Sequence, residues 1–265
     1  MVYDLGKRRR RRAVRPSPLF LAFVAATAVG ALLAWANSGP GSRLGDLGVF
    51  VFVLGGWVVS VCLHEFAHAY AAYRAGDRSV ESAGYLTLNP FKYAHPLLSI
   101  VLPLFFILLG GIGLPGGAVY LHPHLFRSKR AQALAAAVGP ATNAVLAVLL
   151  LLIVRANENS DHVRFWSALA FLAFLQITAT VLNLLPIPGL DGYSIIEPYL
   201  DRPTRALGDK IKPWGMIGVI VLLQFRALND AFFNFAGWLY DRSGASGLLW
   251  MIGREFFKFW VKNPL

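Results

Sequence analysis

Two histidines and a glutamate interrupt one of the apolar stretches of this chain: "SVCLHEFAHAYAAY", Ser60 to Tyr73, holds His64, Glu65 and His68. On a helix, residues i and i+4 share one face, so the two imidazoles can grip a single metal ion. Zinc held in this way brings the pKa of a bound water down to near 7. A glutamate directly after the first ligand is placed to take that water's proton. The competing reading is a helix that merely buries or snorkels two histidines. Ionisable groups inside a membrane span are costly and mark functional sites, which favours the metal.

Two histidines do not complete a catalytic zinc site, which usually takes three protein ligands and keeps one open position. The third must come from another apolar segment. Asp191, in "NLLPIPGLDGYSII", fits best, because it sits at the inner end of the fifth apolar run, in the same depth zone as His64. Pro186, Pro188, Gly189 and Gly192 break the helix around it. Irregular backbone at membrane depth is tolerated where it lines a site. The alternative is a turn at the membrane edge with Asp191 solvated. Cys62 is the single cysteine, which excludes an intrachain disulfide and a cysteine-based zinc site.

These residues need elements to position them, and composition says which kind. Of 265 residues, 56% are hydrophobic and only 15% charged, where soluble domains carry roughly 25% charged. Several apolar runs reach or approach the roughly 20 residues that span a bilayer. The reading is a single all-α polytopic membrane domain over 1–265, with about six membrane-embedded helices and a catalytic core over 47–200. The basic cluster "KRRRRRAVR", Lys7 to Arg15, stands directly before the first apolar run. That position reads as a cytoplasmic anchor over 1–18 and not as a nucleic-acid site. Residues 229–265 alternate aromatic and polar residues and read as interfacial helices. Alternation around Tyr85 to Leu88 suggests a short membrane-associated β ribbon.

Charge sets the topology. With the N-terminus inside, the second run heads inward, and His64 lies about 15 Å before Arg74 at 1.5 Å per residue, within the membrane toward the cytoplasmic side. "FRSKR", Phe126 to Arg130, is also basic and belongs inside. The intervening run from Leu97 to Gly113, interrupted by Pro103, is therefore expected to be re-entrant. A crossing there would place Asp191 at the opposite face from His64.

"HEFAH", "GPATN" and "NLLPIPGLDG", in this order, resemble the site-2 protease family of intramembrane zinc metalloproteases. "GYLTLNP" resembles the linking segment of its small bacterial members. The resemblance covers roughly Leu47 to Leu200. It implies one zinc ion on His64, His68 and Asp191, with Glu65 as base and Asn183 steadying the substrate carbonyl or its oxyanion. An amide aimed at developing negative charge lowers a barrier, so that role is physically sound. Asn143 of "GPATN" either assists the site or bonds another helix where Gly139 and Ala141 pack the helices together. Small bacterial members often carry His and Asp after "LNP". This chain has Tyr93 and His95 there, and His95 reads as a solvated loop residue. The PDZ and CBS domains of some relatives have no counterpart in the sequence.

The resemblance implies a multi-pass protein of a bacterial plasma membrane that hydrolyses peptide bonds in or near transmembrane segments. Its partners are the lipid bilayer and a transmembrane protein substrate, with no nucleic acid; a homo-oligomer is compatible with the sequence. A non-catalytic zinc scaffold or a transporter is the rival from another class. Transporters also use broken helices, but they rarely need a glutamate directly after a histidine ligand, and no inverted repeat is present. A prenyl-protein endopeptidase wants a glutamate as third ligand on a later helix, and none sits at membrane depth.

Overall fold

The structure, a computed structural model, describes residues 14–93, 122–157 and 161–261. Its helices are α1 (Pro18–Ala36), α2 (Arg43–Ala75), α3 (Ser79–Ser82), α4 (Lys129–Asn157), α5 (Val163–Asn183), α6 (Asp191–Ile196), α7 (Arg202–Ile211), α8 (Gly215–Leu222), α9 (Arg226–Asp241) and α10 (Gly247–Phe257). Ser17 and Ser42 start α1 and α2 by accepting from the amides of Phe20 and Gly45 at 3.1 Å, which satisfies a donor the first turn leaves over. Gly76, at φ 123°, ends α2.

Helices α1 and α2 form a tight antiparallel hairpin. Gly30 lies directly against the backbone of Phe52, and Gly48 against Ala34, so that neither position has room for a Cβ. Small residues of this kind let apolar helices approach closely where no water drives them together. Continued toward the start of α1, the same register brings Phe20 into one buried cluster with Cys62. The first turn of α1 thus stands level with the His64 stretch of α2.

The centre of the molecule is α5, whose residues from Trp166 to Ala179 are buried. At its first turn the buried Arg164 donates to Asp46 Oδ1 at 2.7 Å and to the Ser38 carbonyl at 2.9 Å. This clamp ties the start of α5 to the α1–α2 hairpin, so that α2 and α5 run parallel from there toward the residues of interest. On the far side α9 and α10 close the bundle. Trp250 stacks on Phe174 with centroids 4.0 Å apart, and Tyr240 and Phe257 are fully buried in the main core. The segment read as interfacial is therefore packed against the bundle through these residues.

Four helices, α1, α2, α4 and α5, are long and apolar enough to cross a membrane. A fifth span exists if Arg202–Leu222 and Arg226–Asp241, which meet at 92°, form one broken span. Among the described residues this falls short of the six expected from the sequence. The β ribbon is absent as well: Tyr85–Thr87 and Pro90–Lys92 are 3-10 turns. The alternation misled because the adjacent residues Tyr85 and Leu86 are both buried, together with Leu88. Gly84 and Leu88 also take positive φ, 81° and 56°, which breaks any extended run.

The proposed re-entrant stretch, Leu97 to Gly113, lies outside the described residues, as does His95. Its flanks are described. The Arg127 amide donates to the Ala75 carbonyl at 3.3 Å, and the His122 amide donates to Asp77 Oδ2 at 3.0 Å. The chain therefore enters α4 beside the point where it leaves α2.

Candidate metal centre

The two histidines of α2 point the same way because they are one turn apart. His64 and His68 are both buried, with their Nε2 atoms 3.0 Å apart. Asp191 reaches them because the chain turns back sharply after α5. Pro186 and Pro188 cannot continue a helix, Gly189 takes φ 101°, and Leu190 N donates to the Ile187 carbonyl at 2.9 Å. Gly192 then sits against the carbonyls of Leu184 and Leu185, where a Cβ has no room. Asp191 opens α6 with Oδ2 at 3.2 Å from His64 Nε2 and Oδ1 at 3.4 Å from His68 Nε2.

Helix α4 covers the other side. Asn143 Oδ1 lies 3.3 Å from His64 Nδ1, and the Ala135 carbonyl lies 2.6 Å from His68 Nδ1. With an oxygen facing Nδ1 in both cases, each imidazole is assigned the tautomer with its proton on Nδ1, which turns an Nε2 lone pair inward. Pro140 removes one backbone donor from this stretch of α4. Gly139 brings the α4 backbone so near that a Cβ there meets the Nε2 atoms of both His68 and His64. The bare glycine leaves the space that the two imidazoles face.

Two Nε2 lone pairs and a carboxylate converge with no donor among them. Asp191 Oδ2 is buried and makes no hydrogen bond, and all three ligand atoms lie within 4.8 Å of one another. Acceptors packed this closely repel unless a cation joins them. Zinc bonds of about 2.0–2.1 Å in a tetrahedron put neighbouring ligand atoms about 3.3 Å apart. The observed separations match, so the residues present fit a zinc ion.

Glu65 is buried beside the centre, its Oε1 at 3.9 Å from His64 Nε2. Asn183, the last residue of α5, is buried, and its side chain makes no hydrogen bond among the described residues. The structure thus brings His64, His68, Asp191, Glu65 and Asn143 together. It places Asn143 behind a histidine ligand. Sequence reasoning offered Gly139 as a packing residue, but missed that it faces the two imidazoles, and missed the Ala135 carbonyl. The glycine had a signal in "GPATN", since a glycine inside an apolar helix often marks close approach; the carbonyl had none.

Comparison with known proteins agrees with this chemistry. The chain is 52% identical over 250 residues, 94% of its length and 96% of the relative's, to a protein of Mycolicibacterium smegmatis named "Putative zinc metalloprotease Rip2". The Rip2 protein of Mycobacterium tuberculosis strain H37Rv is 48% identical over 251 residues, 95% of this chain and 96% of its own. A Bacillus subtilis protein, "Putative zinc metalloprotease YwhC", is 34% identical over 173 residues, 62% of this chain and 76% of its own. No protein-family model matches the chain, and no solved structure does. With half of its residues shared along nearly the whole length of such relatives, this chain belongs to the site-2-protease-type family of zinc metalloproteases.

Proposed function

We propose that the chain is an intramembrane zinc metalloprotease with one zinc ion, cutting membrane-anchored proteins within or near their transmembrane segments. The observation that carries the reading is the convergence of His64 and His68, beside Glu65 on a helix apolar enough to cross a membrane, with Asp191 just beyond the end of another. His64 and His68 would hold the metal through Nε2, and Asp191 through its carboxylate. Bound there, zinc supplies Lewis acidity and an activated water. Glu65 takes the proton from the attacking water and returns it to the leaving amine. The Asn183 amide donates to the carbonyl oxygen as negative charge grows on it. Asn143 and the Ala135 carbonyl keep the two imidazoles in the binding tautomer.

A substrate helix hides its peptide bonds in internal hydrogen bonds, so it must unwind locally before it can enter this centre. The basic segments support an orientation with the ligand-bearing end of the bundle at the cytoplasmic face. The Tyr85–Thr87 stretch, being helical, offers no strand for the substrate to pair with.

The test is reconstitution of the full chain in proteoliposomes with single-span substrates, followed by mass analysis of the products. Wild type is expected to cut within or at the edge of the span. Glu65→Gln keeps the shape of the side chain but cannot take the proton, so it should retain zinc and lose cleavage. Normal turnover by that variant would falsify the role of Glu65 as base, and absence of cleavage by the wild type would favour a zinc scaffold or transporter.

A further inference from the structure

One polar contact in the core plays no part in the site as described. Gln176, on α5, is 1% exposed and donates through Nε2 to Ser60 Oγ on α2 at 2.9 Å. Ser60 in turn donates to the Trp57 carbonyl at 2.8 Å. The surroundings are apolar: Trp57, Val61, Leu172 and Leu175 all belong to the main core. Gln176 Oε1 and Trp57 Nε1 are buried with no hydrogen-bond partner. A buried polar atom without a partner costs stability, and in membrane interiors a hydrogen bond between helices returns little. A leucine at this position would pack as well at lower cost. Stability therefore does not explain the glutamine.

Its position offers another explanation. Ser60 is one helical turn before His64, and Gln176 is two turns before Asn183 on the same face of α5. At 1.5 Å per residue, the contact lies about 6 Å from the first metal ligand along α2 and about 10 Å from Asn183 along α5. The other polar tie between these helices, Arg164 to Asp46, is at their far ends. An apolar seam between parallel helices tolerates small slips and rotations, because one set of methyl contacts replaces another. A directional bond does not, and register is the best-attested use of a buried polar group.

We propose that Gln176 is a positioning residue: its bond to Ser60 fixes the register between the helix that carries His64, Glu65 and His68 and the helix that carries Asn183. The proposal rests on the proteolytic reading for its catalytic consequence, not for its structural content. It predicts that breaking the bond slows turnover without loss of the fold or the metal centre.

The experiment uses the full chain in proteoliposomes, with the wild type and Glu65→Gln measured first to decide the proteolytic reading. Gln176→Leu, Ser60→Ala and the double variant are then compared. Each single variant should keep wild-type zinc and lose about tenfold in kcat with KM within about twofold; Gln176→Leu and the double variant should melt no lower than wild type, while Ser60→Ala, which leaves Gln176 Nε2 unpaired, should melt slightly lower. The double variant should be no slower than the worse single one, since both remove the same bond. Hydrogen exchange at amides 177–183 should speed up in all three, a readout that stands even if the wild type proves inactive. A kcat within twofold of wild type in an active system would overturn the proposal. So would additive losses in the double variant, unchanged exchange, or a kcat that falls only together with zinc and melting temperature. Should Gln176→Leu fail to fold, Ser60→Ala removes the same bond with a smaller change of volume.

Discussion

At the scale of single residues, Gly139 separates helix stability from metal binding. In a helix interior alanine is favoured over glycine by about 1 kcal/mol. At this position an added Cβ meets the Nε2 atoms of both histidines. Gly139→Ala is therefore expected to leave the helix content unchanged or higher and to lose most of the zinc, read by metal analysis and circular dichroism on the same sample. Full zinc in that variant would mean that α4 does not approach the ligands as described. Asn183 divides in the opposite way. It is not one of the three residues placed to hold the metal, so Asn183→Ala should keep zinc and slow cleavage by about 10²–10³, the usual cost of one lost oxyanion donor. Loss of metal along with activity would instead assign Asn183 to the construction of the centre.

At the scale of elements, the junction between α2 and α4 is held by one carboxylate. Asp77 accepts from the amide and hydroxyl of Ser79 and from the amide of His122, and His122 Nδ1 lies 3.0 Å from the Ser79 hydroxyl. Burial works against ionisation of Asp77, but the hydrogen bonds from Ser79 and His122 outweigh it and hold the carboxyl below its ordinary range. A carboxyl with a depressed folded-state pKa contributes stability that is present above its unfolded value, about 3.9, and is lost as pH falls through the folded value. The junction should thus stay closed at neutral pH and loosen only below about pH 4. Hydrogen exchange at the amides of His122 and Arg127 is the measure. In Asp77→Asn these amides should exchange faster already at pH 7, and equal protection in that variant would show that the carboxylate does not hold the junction.

At the scale of the whole molecule, topology decides whether the ligands can meet. His64 and His68 come from α2 and Asp191 from the turn after α5, so both helices must end at the same face. The contacts of Arg127 with Ala75 and of His122 with Asp77 put the start of α4 at that face too. Lys92 and Ser128 are both exposed, while Cys62 is fully buried. Single cysteines at positions 92 and 128 should therefore react with a membrane-impermeant thiol reagent from the cytoplasmic side only, over a silent Cys62 background. Labelling of Ser128→Cys alone from outside intact cells would overturn the re-entrant expectation, and labelling of both positions from outside would overturn the orientation.

How much of this was legible beforehand follows the range of the interactions involved. The sequence by itself pointed to the membrane class, because a 15% charge content covers a soluble surface poorly. It determined the histidine pair, because i and i+4 share a face in any helix. It pointed to Asp191, because breakers crowd around the one carboxylate placed to join that pair. Local alternation failed at Tyr85 to Leu88, since Tyr85–Thr87 closes as a 3-10 turn between positive-φ residues Gly84 and Leu88. Tertiary structure alone decided that Asn143 backs His64, that the Ala135 carbonyl backs His68, that Gly139 leaves room for a metal, and that Gln176 ties α5 to α2. Each of those depends on which turn of one helix faces which turn of another. That register comes from packing between residues far apart in the chain, and no periodicity within a segment encodes it.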